Sequence, residues 1–403
     1  MGAGAAAWVL HCRAPEPALP VLGPAPRGLV WRRAALWALG SRLALVAFGW
    51  VCVRLLGLET SLADTWNRWD APHYIDIIQY GYTADQSRGD LWLFIVFYPL
   101  YPLASWLVKP LLGGSALAAA MAVSWVSLVG ASVGLYRLGE ADGGPEQGWR
   151  AVRLLLLMPA AVFLGAPYTE SLFLLLSVGC LWCLRRGRWA WAGLLGFLAA
   201  LTRNMGVLLA VPFVVEVLAK QDALRHPRRV FTRAFWRVAG PALPWVLAMP
   251  LGLGVYLLLN WRVYGDPLMF LTIQDGHWGQ HMQFFWQTVR TTWDNVLTET
   301  SGQTNAFLWI PQMIGMVGAL ALLPVLVRRL RPAEGAYLIV YLFVALSPSW
   351  LLSFHRYWMG AVPMLLALAA LTRRSWVDIL VSSVLGAFML YLAYGYLTGF
   401  MVV

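Results

Sequence analysis

A carboxylate and two guanidinium groups stand out in a chain that has little charge to place. Asp70 lies in NRWDAPHYIDIIQYGY, residues 67–82, among Trp66, Trp69, His73 and Tyr74. A carboxylate beside aromatic rings in a half-dry cleft suits a general base that must take a proton from a sugar hydroxyl. A helix over 71–80 would set His73 and Tyr74, three and four residues on, over the same face as Asp70. A plainer role fits too, because Asp70 ahead of Pro72 also has the pattern of a helix N-cap with proline in the first turn.

The cations are equally specific in place. Arg203 and Asn204 interrupt the apolar run 189–219. A charge in the bilayer costs on the order of +2.5 to +3.5 kcal/mol unless it is paired or faces water, so an intramembrane arginine is a functional candidate. Its partner would be a lipid phosphate or Glu170. PYTES, residues 167–171, sets Tyr168, Thr169 and Glu170 at a helix junction, where Glu170 also suits a first turn on dipole grounds. His355 and Arg356, beside Tyr357 and Trp358, offer a second cation at the ends of two spans. The planar fork of arginine matches phosphate oxygens, and snorkelling to the interface is the alternative. Further on, Gln274 and Trp278 follow Asp266 and Pro267, with Trp278 placed to stack on a sugar or to join an interfacial belt. His277 and His281 lack the glutamate of a zinc-peptidase motif, and Cys180 and Cys183 sit in an apolar run without further ligands. No metal and no cofactor is expected.

The elements that must hold these residues are membrane helices. The chain has 403 residues, 60% of them hydrophobic and 12% charged, and its mean hydropathy is +0.64. Apolar runs long enough to span lipid recur along it, without the alternating strands of a transmembrane barrel. The formal charge of +11 falls in short tracts between those runs, at 185–188, 225–229, 328–331 and 373–374. That is the positive-inside pattern, which speaks against nucleic acid and for a lipid bilayer. Spans are expected near 35–57, 115–137, 151–166, 170–184, 189–202, 206–219, 238–260, 306–327, 333–352, 358–372 and 376–397. Residues 1–34 form a Pro-rich, disordered cytoplasmic tail in this reading, and the first span is an uncleaved anchor. The long loops are 58–92 and 261–305. Segment 92–112 is apolar but carries Pro99, Pro102 and Pro110. Making it re-entrant or interfacial puts every arginine tract in the cytoplasm. Asp70, 167–171, 202–204 and 355–356 then emerge on one outer face.

RWDAPHY–x5–YGY, FYPLYP, PYTES, LTRN, YGDPL and HRY, in that order from about residue 66 to 363, resemble the PIG-V family. These are polytopic mannosyltransferases within the GT-C superfamily. The resemblance implies a single GT-C-like domain over 35–400, an all-α bundle of about 11 transmembrane helices with extracytoplasmic loops. It implies mannose transfer, with inversion, from a polyprenyl- or dolichyl-phosphate mannose donor to a glycan, lipid or protein acceptor outside the cytoplasm. Asp70 maps onto the expected base. Arg203, Arg356 and His355 would meet the donor phosphate. Trp66, Trp69, His73, Tyr74, Tyr168, Glu170, Asn204, Gln274 and Trp278 would line the substrate site. The Pro-rich tail departs from the family pattern, and the short length is that of a bacterial relative in a plasma membrane (an endoplasmic-reticulum membrane in a eukaryote), with an acceptor other than a GPI precursor. The competing reading is a lipid-linked sugar flippase, which would show inverted repeats and midplane sites; neither is evident.

Overall fold

Apolar sequence of this length must fold as helix, since lipid leaves no partner for an unsatisfied backbone amide or carbonyl. The computed structural model describes residues 27–351, 353–400 and 402, and its regular elements are helical. Helix α1 (Arg27–Leu55) is followed by α2 (Asp70–Tyr80), α3 (Leu100–Val108) and the long α4 (Ala116–Leu157). Then come α5 (Glu170–Arg185), α6 (Trp189–Ala200), α7 (Ala210–Lys220), α8 (Arg233–Ala239) and α9 (Leu243–Tyr264). The remainder is α10 (Met269–Trp278), α11 (Phe285–Thr298), α12 (Ile310–Val327), α13 (Pro332–Ala345), α14 (Phe354–Gly360), α15 (Val362–Leu371) and α16 (Ser375–Thr398).

Among the described residues five helical stretches are long and apolar enough to cross a membrane: 28–55, 116–157, 233–264, 302–327 and 375–398. A sixth counts if the bent pair 86–96 and 100–112 is one span. Eleven separate spans are therefore not established. The expected span 151–166 ends at Leu157, because Met158 precedes Pro159 and is held extended at φ −58° and ψ 145°. The expected spans 115–137 and 151–166 share α4, which changes direction at Gly143 and at Gly144, whose φ is +83°. Residues 1–26 of the expected tail lie outside the described residues, while 27–34 are already helix.

Segment 92–112 breaks by 115° between its two halves. Its second half packs along α4, where the Tyr101 hydroxyl donates to the Ala120 carbonyl at 2.8 Å and meets Ser124 Oγ at 2.9 Å. The core between α1, α4, α5, α13 and α15 is rich in alanine and tyrosine, with Tyr136, Tyr168, Tyr337 and Tyr396 fully buried. Small residues let membrane helices approach closely, which replaces the hydrophobic drive that lipid does not supply.

Candidate active site

Each charged group of interest sits where a helix starts or fails to continue. Asp70 opens α2, and the residue before it, Trp69, has φ 58° and ψ −114°. A non-glycine residue there is strained, at a cost on the order of 1–3 kcal/mol, and such strain gathers at functional sites. The Tyr168 hydroxyl fixes the turn from both sides, accepting from the Asp70 amide at 3.1 Å and donating to the Arg68 carbonyl at 3.0 Å. Glu170 opens α5. Arg203 lies in extended backbone, φ −156° and ψ 150°, between α6 and the turn Asn204–Leu209. That turn folds tightly onto α6: a Cβ on Gly206 would come within 2.2 Å of the Ala200 backbone nitrogen.

These elements bring four charges together. Arg356 donates from Nη1 to Asp70 Oδ2 at 3.0 Å and from Nε to Glu170 Oε1 at 2.7 Å. Arg203 Nη1 donates to the same Glu170 oxygen at 2.6 Å and to Thr169 Oγ1 at 3.0 Å. Asp70 therefore does not cap its own helix; no side-chain cap is present there, and its carboxylate turns to Arg356. Glu170 is 2% exposed and Arg356 5%, whereas the Asp70 side chain is 28% exposed. Two carboxylates and two guanidinium groups balance, so the cluster can exist in a dry place. Only Asp70 opens appreciably to the outside.

The hydrogen-bond pattern leaves donors over. Arg203 bonds through Nη1 alone, and Arg356 through Nε and Nη1, which also reaches Ser353 Oγ at 3.3 Å. Among the described residues, Nη2 of each has no protein partner. Aromatic faces hold the two forks in place: Arg356 lies 4.6 Å from the Tyr168 ring and 5.0 Å from Phe163, and Arg203 lies 4.9 Å from Tyr357.

The remaining expected site residues divide. Tyr74 packs edge-on against Tyr168 and Tyr101, directly behind Asp70. The His73 ring packs tilted against Phe94, centroids 4.4 Å apart, and burial draws its pKa down against the opposing pull of Asp70, Asp76 and Asp90. Trp278 packs in the same hydrophobic cluster as Phe94, with Ile77 and Ile273. Gln274 Nε2 donates to Gln280 Oε1 at 2.6 Å. Trp69 is partly buried over the core. Asn204 is exposed, and its Oδ1 accepts from the Met205 amide at 2.9 Å. Two more residues are turned elsewhere. Trp66 is 2% exposed, and its carbonyl accepts from Tyr396. His355 turns away from Arg356, towards Phe388 and the backbone of Pro311, because neighbours on a helix point about 100° apart. Phe163, Ser353 and Tyr396 serve the site and were not expected; nothing in their apolar or commonplace surroundings marks them.

Residues 56–231 match the family described as Mannosyltransferase (PIG-V), a stretch that holds Asp70, Tyr168, Glu170 and Arg203 and ends before Arg356. That segment is similar to the PIG-V mannosyltransferases.

Particular proteins are similar to parts of the chain. GPI alpha-1,6-mannosyltransferase 2 of Cricetulus griseus is 37% identical over 161 residues, 37% of this chain and 31% of that protein. The Homo sapiens protein of the same name is 29% identical over 230 residues, 52% of this chain and 45% of its own length. GPI mannosyltransferase 2 of Yarrowia lipolytica is 30% identical over 179 residues, 41% and 47% respectively. The chain thus spans less than half the length of each. Among solved structures, the archaeal oligosaccharyltransferase AglB from Archaeoglobus fulgidus, in complex with an inhibitory peptide and a dolichol-phosphate, aligns at TM-score 0.41 and 14% identity. It covers 90% of this chain and 55% of that one, a likeness too slight to carry an inference.

Proposed function

We propose that the chain is a membrane-embedded mannosyltransferase that uses a polyprenyl- or dolichyl-phosphate mannose donor and inverts the anomeric centre. The supporting observation is the four-charge cluster, in which a partly exposed carboxylate is held by a guanidinium whose own counter-charge is buried. In the reaction, the acceptor hydroxyl oxygen attacks C1 of the donor sugar while its proton passes to the Asp70 carboxylate. The C1–O bond to phosphate breaks, and the lipid phosphate leaves with the bonding electrons. It needs no proton from an acid, so one carboxylate suffices where a glycoside hydrolase requires two. Arg203 and Arg356 each keep an Nη2 donor for that phosphate, and fixed donors in a low-dielectric site stabilise developing charge strongly. His73, Tyr74 and Trp278 shape the acceptor side. The site faces away from the cytoplasm, where a lipid-phosphate sugar would approach laterally between helix ends.

Purified protein with radiolabelled polyprenyl-phosphate mannose and a crude acceptor extract tests this. Labelled product on a new acceptor supports it; label that crosses a proteoliposome bilayer with its phosphate bond intact makes the chain a flippase instead. Asp70→Asn should reduce transfer by about 10²- to 10⁴-fold, the range of general-base contributions, with unchanged thermal stability. Near-normal transfer by that variant removes the assignment of the base.

A further inference from the structure

From two adjoining cavities, the basic one far along the bundle from Asp70, we infer that the protein binds an anionic phospholipid between α1, α4 and α16. One, of about 270 Å³, is lined by Arg33, Arg150, Arg153 and Arg373, with only Glu146 and Asp378 as counter-charges. The other, of about 380 Å³, is walled by Leu45, Phe48, Leu156 and Met389, together with Arg42. Trp37 and Arg153 line both, so a basic mouth and an apolar chamber share a wall. That combination selects an amphiphile: free phosphate has no use for the chamber, and a neutral lipid none for the mouth.

The protein's own polar groups leave this place unfinished. Arg42 is 0% exposed. It donates to the Ala161 carbonyl and to Ser41 Oγ, and its Nη2 has no partner. Among the described residues no carboxylate pairs with it. Arg153 pairs with Asp378 through Nη2, yet its buried Nε is also without a partner. A buried cation lacking a counter-charge is costly in a span. A phosphate at the mouth and ester oxygens beyond it would supply the missing acceptors. Basic pockets between transmembrane helices are a recurring site for anionic lipid headgroups.

The location separates the mouth from the catalytic cluster. The mouth includes Ser375 and Asp378 at the start of α16, whereas Tyr396 near its end binds Trp66. At 1.5 Å per residue those positions lie about 27 Å or more apart along the helix. The inference does not rest on the transferase reading.

The test uses full-length protein in nanodiscs of phosphatidylcholine alone, or with about one fifth phosphatidylglycerol, read by thermal unfolding and by native mass spectrometry. Phosphatidylglycerol is expected to raise the Tm by about 3 °C or more through binding to the folded state, and one molecule should stay bound. Arg33→Gln with Arg373→Gln, both on exposed side chains, should abolish most of that shift. Asp70→Asn should retain it. Ala44→Trp, directed into the chamber, should lose the bound lipid with the mouth intact; if it does not fold, the double arginine variant alone decides. An equal Tm in both nanodiscs, or a shift that survives the double variant, overturns the site. So does a full shift produced by millimolar inorganic phosphate, which would leave the chamber without a role.

Discussion

Two carboxylates meet the same arginine, and their surroundings give them different work. Glu170 accepts from Arg203 and Arg356 through one oxygen, at 2.6 and 2.7 Å, and is almost sealed. Removing its charge leaves two buried guanidinium groups against Asp70 alone, and breaking a buried pair costs about 3–5 kcal/mol. Glu170→Gln is therefore expected to lower the thermal midpoint sharply and to yield poorly folded protein. Asp70→Asn, by contrast, leaves Arg356 its bond to Glu170 and should unfold at nearly the wild-type temperature. Fluorescence-detected unfolding in detergent compares the two directly; equal losses would mean that both carboxylates are structural. That Asp70, Glu170, Arg203 and Arg356 deserve notice is legible in the sequence, because a charge within apolar runs is conspicuous. Their pairing was only half legible. Glu170 was weighed as a partner for Arg203, but nothing in local spacing tells that Arg356, 186 residues from Glu170, bonds it as well. Trp66, expected to line the substrate, and His355, expected at the donor phosphate, point away from the charged cluster, and for a related reason: the type of a residue is written in the chain, and the direction of its side chain is not.

Helix ends, more than helix bodies, build the site, and glycines decide how closely the bodies approach. A Cβ on Gly252 of α9 would lie 2.3 Å from the Phe197 carbonyl of α6, and one on Gly193 of α6 would lie 2.6 Å from the Trp245 carbonyl of α9. Backbone atoms cannot yield as a flexible side chain can, so Gly252→Ala must push the helices apart. A loss of about 1–3 kcal/mol is expected, as for overpacking elsewhere. Because Arg203 follows the end of α6 by three residues, the shift should also weaken donor use, visible as a raised KM. Gly254→Ala is the control: nothing lies within 4 Å of its Cβ, and alanine favours a helix interior by up to about 1 kcal/mol. If the two variants melt alike, the contact between α6 and α9 is not a constraint. This level was the least legible. Eleven spans were expected from hydropathy, yet α4 runs on to Leu157 through Gly143 and Gly144, and the next expected span dissolves after Pro159. Hydropathy marks apolar chain, and it does not distinguish a helix that crosses from one that stops midway inside protein.

At the scale of the whole molecule, the charged cluster and the arginine tracts occupy opposite ends of one bundle. Helix α5 begins at Glu170 and ends at Arg185, about 22 Å away at 1.5 Å per residue. There Arg185 binds Asp142 at the bend of α4 and Glu334 in the first turn of α13, which ties three helices at the basic end. Lys220 closes α7 nearby, and its ammonium donates to the Arg185 carbonyl at 2.9 Å. Positive charge is retained on the cytoplasmic side during insertion, so the end that carries Asp70 should face the opposite compartment. Single cysteines in a background with the native cysteines replaced make this measurable. Ser61→Cys, on the exposed stretch leading to Asp70, should react in intact cells with a maleimide that cannot cross membranes. Arg228→Cys and Arg329→Cys, both on exposed positions, should react only after permeabilisation. The reverse pattern would put Asp70 in the cytoplasm, within reach of nucleotide sugars, and a lipid-phosphate donor would then lose its rationale.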